Sequence, residues 1–135
     1  MDKKRFPGMW TVPGGKLETK DYTALDKETK NYWYNVLERT LRREVEEEVG
    51  IKIKNVNYLT SLATIHAGYN PSLVISCTAN YVSGKVKLQE EEASDFAWVT
   101  VKEAKKYDLI DGIYDEIVMA SKKKNTKNVE WKRVK

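Results

Sequence analysis

"REVEEEVGI", Arg43 to Ile51, sets four glutamates behind an arginine and runs out on a glycine. A charge run of this kind is ordinarily the wet face of a helix, and helical geometry tests that. At about 100° per residue, with Glu44 at zero, Leu37 falls near 20°, Glu48 near 40°, Leu41 near 60° and Val45 near 100°. Glu46, Arg42 and Arg39 gather opposite, between about 160° and 220°. Glu47 lies near 300°, with Arg43 beside it near 260°, which suits a salt bridge. The cluster therefore divides. Glu46 belongs with the arginines on the solvent face, whereas Glu44 and Glu48 share the arc of the leucines, the expected core stripe. Carboxylates there need partners, because burying an isolated charge is costly. A divalent cation such as Mg²⁺ meets that need, since hard ions take carboxylate oxygens. Basic residues elsewhere, reaching the glutamates at the edge of the stripe, meet it equally well on helical geometry alone.

Upstream, "MWTVPGG" reads as a short strand that ends in a glycine turn, because Pro13 cannot continue a ladder. Gly14-Gly15 allows close backbone approach, so a carbonyl or amide there can reach the same ion or a phosphate. The helical pattern runs from about Asn31 to Val49, and Gly50 is its stop. Downstream, "IKIKNVNYLTSLATI" alternates like a strand, and "SLVISCTANYV" is rich in β-branched residues and expected to be a well-buried one. Ser83-Gly84 marks a turn before an alternating "KVKL", and "DFAWVT" reads as a further short strand. Thr100 and Glu103 form a capping-box pattern for a helix from Val101, and Asp111 is expected to cap a last helix, "GIYDEIVMASKKK". The order of strand, helix, several strands and then helices predicts α/β or α+β layers, a mixed sheet flanked by helices.

The chain has 135 residues, enough for one domain with a real core. Its formal charge of +4 is uneven. The tail "KKKNTKNVEWKRVK", residues 122–135, holds seven basic residues and one acid, which leaves 17 basic and 19 acidic residues in the body. The expected division is thus a domain over 1–121 and a basic tail. Such a tail can touch nucleic acid or anionic lipid; a solvated, partly disordered terminus is the plainer expectation. No apolar run approaches the roughly 20 residues that span a bilayer. Basic residues at the start lack an apolar segment behind them, so no signal peptide is read. Cys77 is the sole cysteine and forbids an intrachain disulfide. Together these suggest a cytoplasmic protein.

At this point the residues resemble a known family. "REVEEEVGI" looks like the second half of the Nudix box, which ends Arg-Glu-apolar-x-Glu-Glu-x-Gly-apolar, and every required position is filled. "GGKLE", Gly14 to Glu18, looks like the first half, and "WTVPGGKLE" matches the usual entry into the box. "EEEASDFAWVTVKEA", residues 90–104, resembles the later segment in which a glutamate stands six residues before a tryptophan, here Glu92 before Trp98. The resemblance implies a Nudix-like sandwich that hydrolyses nucleoside diphosphates linked to another group, using Mg²⁺ or Mn²⁺ and an attacking water. It implies Glu44, Glu47 and Glu48 as metal carboxylates, with the Gly15 carbonyl as a backbone ligand. Arg43 would orient the glutamates, Glu92 would be a late-loop metal ligand or the general base, and Glu47 is the other catalytic candidate. Trp10, Lys16 and Glu18 are placed near the substrate, a nucleotide or other diphosphate.

Two departures from the family pattern stand out. The box is not contiguous. After five intervening residues from Gly15 the pattern requires Glu, and this chain has Asp21; counted back from Arg43, the same position falls on Asn35. An insert of about 14 residues lies between the two frames, within residues 19–34, and carries Tyr22, Tyr32, Trp33 and Tyr34. It reads either as a lid or substrate wall, or as an extended helix start with its aromatics packed down. In addition, only nine residues precede Trp10, where the family usually places one or two strands. An exposed sheet edge then predicts a homodimer or reduced stability.

His66, the one histidine, fits a structural or surface role better than a metal site, and Cys77 fits an inert strand position. Trp10 and the insert aromatics could stack a base, while Tyr69, Tyr81 and Trp98 serve equally as core. The rival to an enzyme is a non-catalytic nucleotide- or RNA-binding module of the same fold. A purely structural partner protein accords least with the acidic set.

Overall fold

The computed structural model describes residues 9–65, 71–89 and 95–123. Its organising element is a helix of 14 residues, Val36–Val49, preceded by a one-turn helix, Lys20–Thr23. We label these α2 and α1. The periodicity placed the start of α2 near Asn31, but Asn35 adopts a left-handed conformation (φ 56°) without a side-chain cap. Residues 28–34 instead fold back across the helix start, where the Arg39 guanidinium holds both the Tyr34 carbonyl and the Glu28 carboxylate. The predicted stop holds. Gly50 is left-handed at φ 75°, and its N–H donates to the Glu46 carbonyl at 2.9 Å.

Two long strands follow, β1 (Lys52–Thr64) and β2 (Ser72–Ser83), paired antiparallel from Thr64 opposite Ser72 to Lys52 opposite Ser83. The register slips near Lys52, near Asn55 and near Tyr58. Asn55 has φ 52°, which bends β1 there. Next to it, Val56 turns inward and is 4% exposed. Against expectation β2 is not well buried: Leu73 is 70% exposed and Val74 42%. β-branched residues favour pairing, but burial needs something packed on the face. Among the described residues the sheet has only these two strands.

The three other expected strands do not form ladders among the described residues. "KVKL" runs under the end of α2, where the Lys87 N–H donates to the Val49 carbonyl (2.8 Å) and the Gln89 N–H to the Glu48 carbonyl (3.1 Å). It satisfies helix carbonyls that have no partner within the helix. The Trp10 segment makes a single parallel bridge with Leu109: the Trp10 N–H donates to Asp108 (2.8 Å) and the Trp10 carbonyl accepts from Ile110 (3.0 Å). Residues 95–100 form neither helix nor ladder among the described residues, and Trp98 leans edge-on against Tyr81 at 5.6 Å.

α3 (Val101–Ala104) begins with the expected capping box, Thr100 Oγ1 accepting from the Glu103 N–H at 3.2 Å and the Thr100 N–H donating back to Glu103 at 3.0 Å. α4 (Ile113–Lys122) lacks the Asp111 cap read from the sequence; the chain enters it through left-handed Gly112. α2 and α4 pack on β1, and α3 packs on α4. The buried centre is small: Val45, Ile51, Val56 and Ala104, with Thr40. The architecture is therefore the expected mixture of helices and sheet, and the two described strands pair antiparallel. No helix among the described residues is long and apolar enough to cross a membrane.

Candidate active site

The glycine turn sits on the acidic helix. The Gly14 N–H donates to Glu48 Oε2 at 3.0 Å, across 34 residues of chain. Gly15 lies against Glu44 so closely that a Cβ there would stand 2.1 Å from Glu44 Oε2. Only glycine fits. The Glu44 side chain is 16% exposed, Glu48 is half-buried, and Glu46 points to solvent. That is the division the helical angles predict. Leu37 and Leu41 are only half-buried, however, and the fully buried positions of α2 are Thr40 and Val45.

Arg43 ties three carboxylates together. Its Nη1 donates to Glu47 Oε2 at 2.9 Å and its Nη2 to Glu44 Oε1 at 3.0 Å, and Nη2 also meets the Asp21 carboxylate. Asp21 is 3% exposed at its side chain, and its other oxygen accepts from the Glu18 N–H at 2.7 Å. Burial alone would pull the Arg43 guanidinium down. The charges of Asp21, Glu44 and Glu47 outweigh it and raise the group above its ordinary value. The guanidinium therefore stays charged across any working pH.

The insert is a strap lying on α2, not a helix extension. Trp33 Nε1 donates to the Leu25 carbonyl at 2.8 Å, the Trp33 ring meets Tyr22 edge-on at 5.1 Å, and Lys27 Nζ lies 5.0 Å from its centre. The strap is pinned at Glu28–Arg39 and at Asp21–Arg43. Arg39, which the helical angles placed on the wet face, is thus covered.

The other residues singled out from the sequence do not join this cluster. Lys16 and Glu18 are exposed, and the Glu18 carboxylate pairs with Lys20 at 3.2 Å. Trp10 packs edge-on to Tyr107 at 4.9 Å in the wall of an open apolar hollow of about 160 Å³. Val12, Pro13, Val99 and Ile117 complete that wall. Glu92, His66, Tyr69 and the tail from residue 124 lie outside the described residues. Among the described residues no three His, Cys, Asp or Glu side chains converge as a finished metal cage. The sequence passed over Asp21, Glu28 and the pinning role of Arg39. The signals were present: Asp21 stands where the box requires an acid, and Arg39 and Arg43 are four apart on one helix face.

Both halves of the box thus meet in space. The family model for the NUDIX domain matches residues 2–119. The chain belongs to the Nudix family.

Among its relatives is an NAD-capped RNA hydrolase, NudC, of Actinobacillus succinogenes, 39% identical over 98 residues, which are 73% of this chain and 31% of that protein. The NudC of Mannheimia succiniciproducens is 43% identical over 61 residues, 45% of this chain and 22% of that protein. The human NAD-capped RNA hydrolase NUDT12 is 34% identical over 99 residues, 73% of this chain and 18% of that protein. The chain spans less than a third of the length of each. Within this Nudix domain, the interruption of the box leaves the contact of glycine turn and helix in place.

Proposed function

We propose that this Nudix domain hydrolyses a nucleoside diphosphate-linked substrate with a divalent cation, water attacking phosphorus. Dinucleotides of the NAD type and NAD-capped RNA ends are the first candidates, on the strength of the NudC and NUDT12 relatives. The observation that carries the proposal is the seating of Gly14 and Gly15 on Glu48 and Glu44. Two carboxylates are thereby held at the site of closest backbone approach, where a phosphate or cation can come in without meeting a side chain.

The donor set is oxygen throughout, which fits Mg²⁺ or Mn²⁺. Glu44, Glu47 and Glu48, with the Gly15 carbonyl, would hold the cation, which supplies phosphate charge neutralisation and a more acidic water. Arg43 fixes the orientation of Glu44 and Glu47 by direct hydrogen bonds. Glu92 or Glu47 takes the proton from water in this scheme. Lys16, exposed beside the turn, is free to meet phosphate charge, and Trp10 offers an aromatic face to a base. The basic residues beyond 121 are the proposed contact for an RNA substrate. A cytoplasmic location is proposed on the single, free cysteine. A homodimer is proposed on the exposed Leu73, Val74 and Ile75 of β2; light scattering that shows only monomer overturns it.

The deciding assay incubates the protein with Mg²⁺ or Mn²⁺ and a panel of NAD, NAD-capped RNA, nucleotide sugars, dinucleoside polyphosphates and nucleoside triphosphates. Metal-dependent cleavage at a phosphoanhydride, abolished in Glu48→Gln with the fold retained, is the expected result. Binding of a nucleotide without turnover in any metal would support the non-catalytic module instead.

A further inference from the structure

The inserted strap sorts its charges by face. Residues 16–34, the strap and the turn before it, hold four lysines and four acids, so their formal charges cancel. Two of the acids turn inward onto α2, Asp21 at 3% side-chain exposure against Arg43 and Glu28 at 24% against Arg39. All four lysines, Lys16, Lys20, Lys27 and Lys30, are exposed, and the acids exposed with them are Glu18 and Asp26. Four lysines less two acids leave the outer surface of a neutral segment at +2. Tyr32, two residues from Lys30, is 62% exposed. We propose that the strap is a landing surface for single-stranded RNA, with a base stacked on Tyr32 and the flanking phosphates met by Lys27 and Lys30. The proposal rests on the hydrolase reading above and deepens it, because it selects RNA-linked diphosphates over free dinucleotides.

An exposed tyrosine alone means little. Here its backbone is fixed from both sides while its ring is left to solvent. The Tyr32 N–H donates to Thr29 Oγ1 at 3.0 Å, and the Tyr32 carbonyl accepts from the Glu28 and Thr29 N–H groups at 3.1 and 3.3 Å. A ring held this way loses little freedom when a base stacks on it. The next residue, Trp33, anchors the strap through its bond to the Leu25 carbonyl, and Lys27 Nζ lies 5.0 Å from the Trp33 ring centre. That cation–π contact keeps an ammonium group beside the tyrosine turn. Aromatic rings interleaved with lysines are what a single strand needs: stacking tolerates any base, and lysine neutralises phosphate. Position separates this surface from the reaction centre. Arg39, where the far end of the strap is pinned, stands about 7.5 Å along the axis of α2 from Glu44 and about 13.5 Å from Glu48. The strap is thus placed to meet a chain leaving the site, not the diphosphate within it.

The test measures binding of a labelled, unstructured NAD-capped oligoribonucleotide to the full chain by fluorescence anisotropy, with chelator present so that nothing is cleaved, over a series of salt concentrations. Calorimetry measures NAD alone. The variants are Tyr32→Ala, the pair Lys27→Gln and Lys30→Gln, and a control pair of equal charge change on exposed residues after α3, Lys105→Gln and Lys106→Gln. Circular dichroism checks each fold. Tyr32→Ala should weaken RNA binding about 5–150-fold, the range for losing one stacked base, with the salt slope unchanged. The strap lysine pair should lower the slope of log affinity against log salt by about 1.4, which is about 0.7 for each phosphate released. Neither change should alter NAD binding, and the control pair should leave RNA binding close to wild type. Should Tyr32→Ala disturb the strap, the lysine pair carries the test by itself. Wild-type RNA affinity and salt slope in both strap variants overturn the proposal. So does an equal loss in the control pair, which would reduce the effect to net charge, or an equal loss of NAD binding, which would make the strap a wall of the small-molecule site. A wild type that cleaves NAD but binds the oligonucleotide no better than NAD also overturns it and leaves the hydrolase reading standing. RNA binding that depends on the strap in a chain that cleaves nothing supports the landing surface and removes the hydrolase reading.

Discussion

The glycine face of α2 and the outer face of the β1–β2 sheet are both half-open surfaces, built by opposite means. On α2, polar contacts fix the charged groups nearest the turn and the strap: Gly14 to Glu48, Arg43 to three carboxylates, Arg39 to Glu28. On the sheet, backbone pairing is long, but Leu73, Val74, Tyr81 and Val82 stand exposed. Order without burial is what a site needs, since reactive carboxylates must remain reachable. Pairing without burial contributes little stability, because the hydrophobic term scales with area removed from water.

The contrast can be broken most severely at Glu48. Glu48→Gln should lose more activity than the roughly 10–100-fold that losing an outer ligand-orienting group costs, with an unchanged melting curve. Steady-state kinetics with Mg²⁺ check it. Gly15→Ala comes next. Its methyl would overlap the Glu44 carboxylate, the movable end of a flexible side chain, so the carboxylate is displaced and the fold survives. Activity should fall about 100-fold while stability shifts by less than about 1 kcal/mol. A variant with near-normal activity would show that Glu44 is not needed where it now sits.

The next predictions concern stability. Ile51→Ala, at the junction of α2 and β1, should cost about 2–5 kcal/mol in denaturant unfolding. Gly50→Ala should cost about 1–2 kcal/mol, since a side chain is strained in the left-handed region. Val74→Thr on the outer face of β2 should change stability by less than about 0.5 kcal/mol. A large loss there would mean that something covers the sheet in solution. Last, burial raises the Cys77 thiol, with the Glu38 charge adding and Lys123 opposing. Alkylation at neutral pH should be slower than for a free cysteine and should quicken only as the pH rises through the raised value.

Helix α2, its glycine stop and the α3 capping box were legible because each depends on neighbours within about four residues. The division of the glutamates was legible for the same reason, since a helix fixes angular position from sequence distance alone. Burial of β2 was misread because propensity reports pairing, whereas burial depends on what packs across the face. The "KVKL" strand was misread because its amides serve the carbonyls of α2. Asp111 was misread as a cap because Gly112 could take the left-handed entry itself.

By itself, then, the sequence determined the acidic helix, the face on which each glutamate lies and a glycine pair able to approach closely. What only the tertiary structure decided is how the interrupted box closes. Val12 to Pro13 brings the turn onto Glu44 and Glu48 from 34 residues away in the Gly14 contact. The strap returns Asp21 to Arg43 and Glu28 to Arg39. Those contacts join residues that no helical or strand period relates. They follow from the need of each buried charge for an opposite one, and which one is met is settled only when the chain has folded.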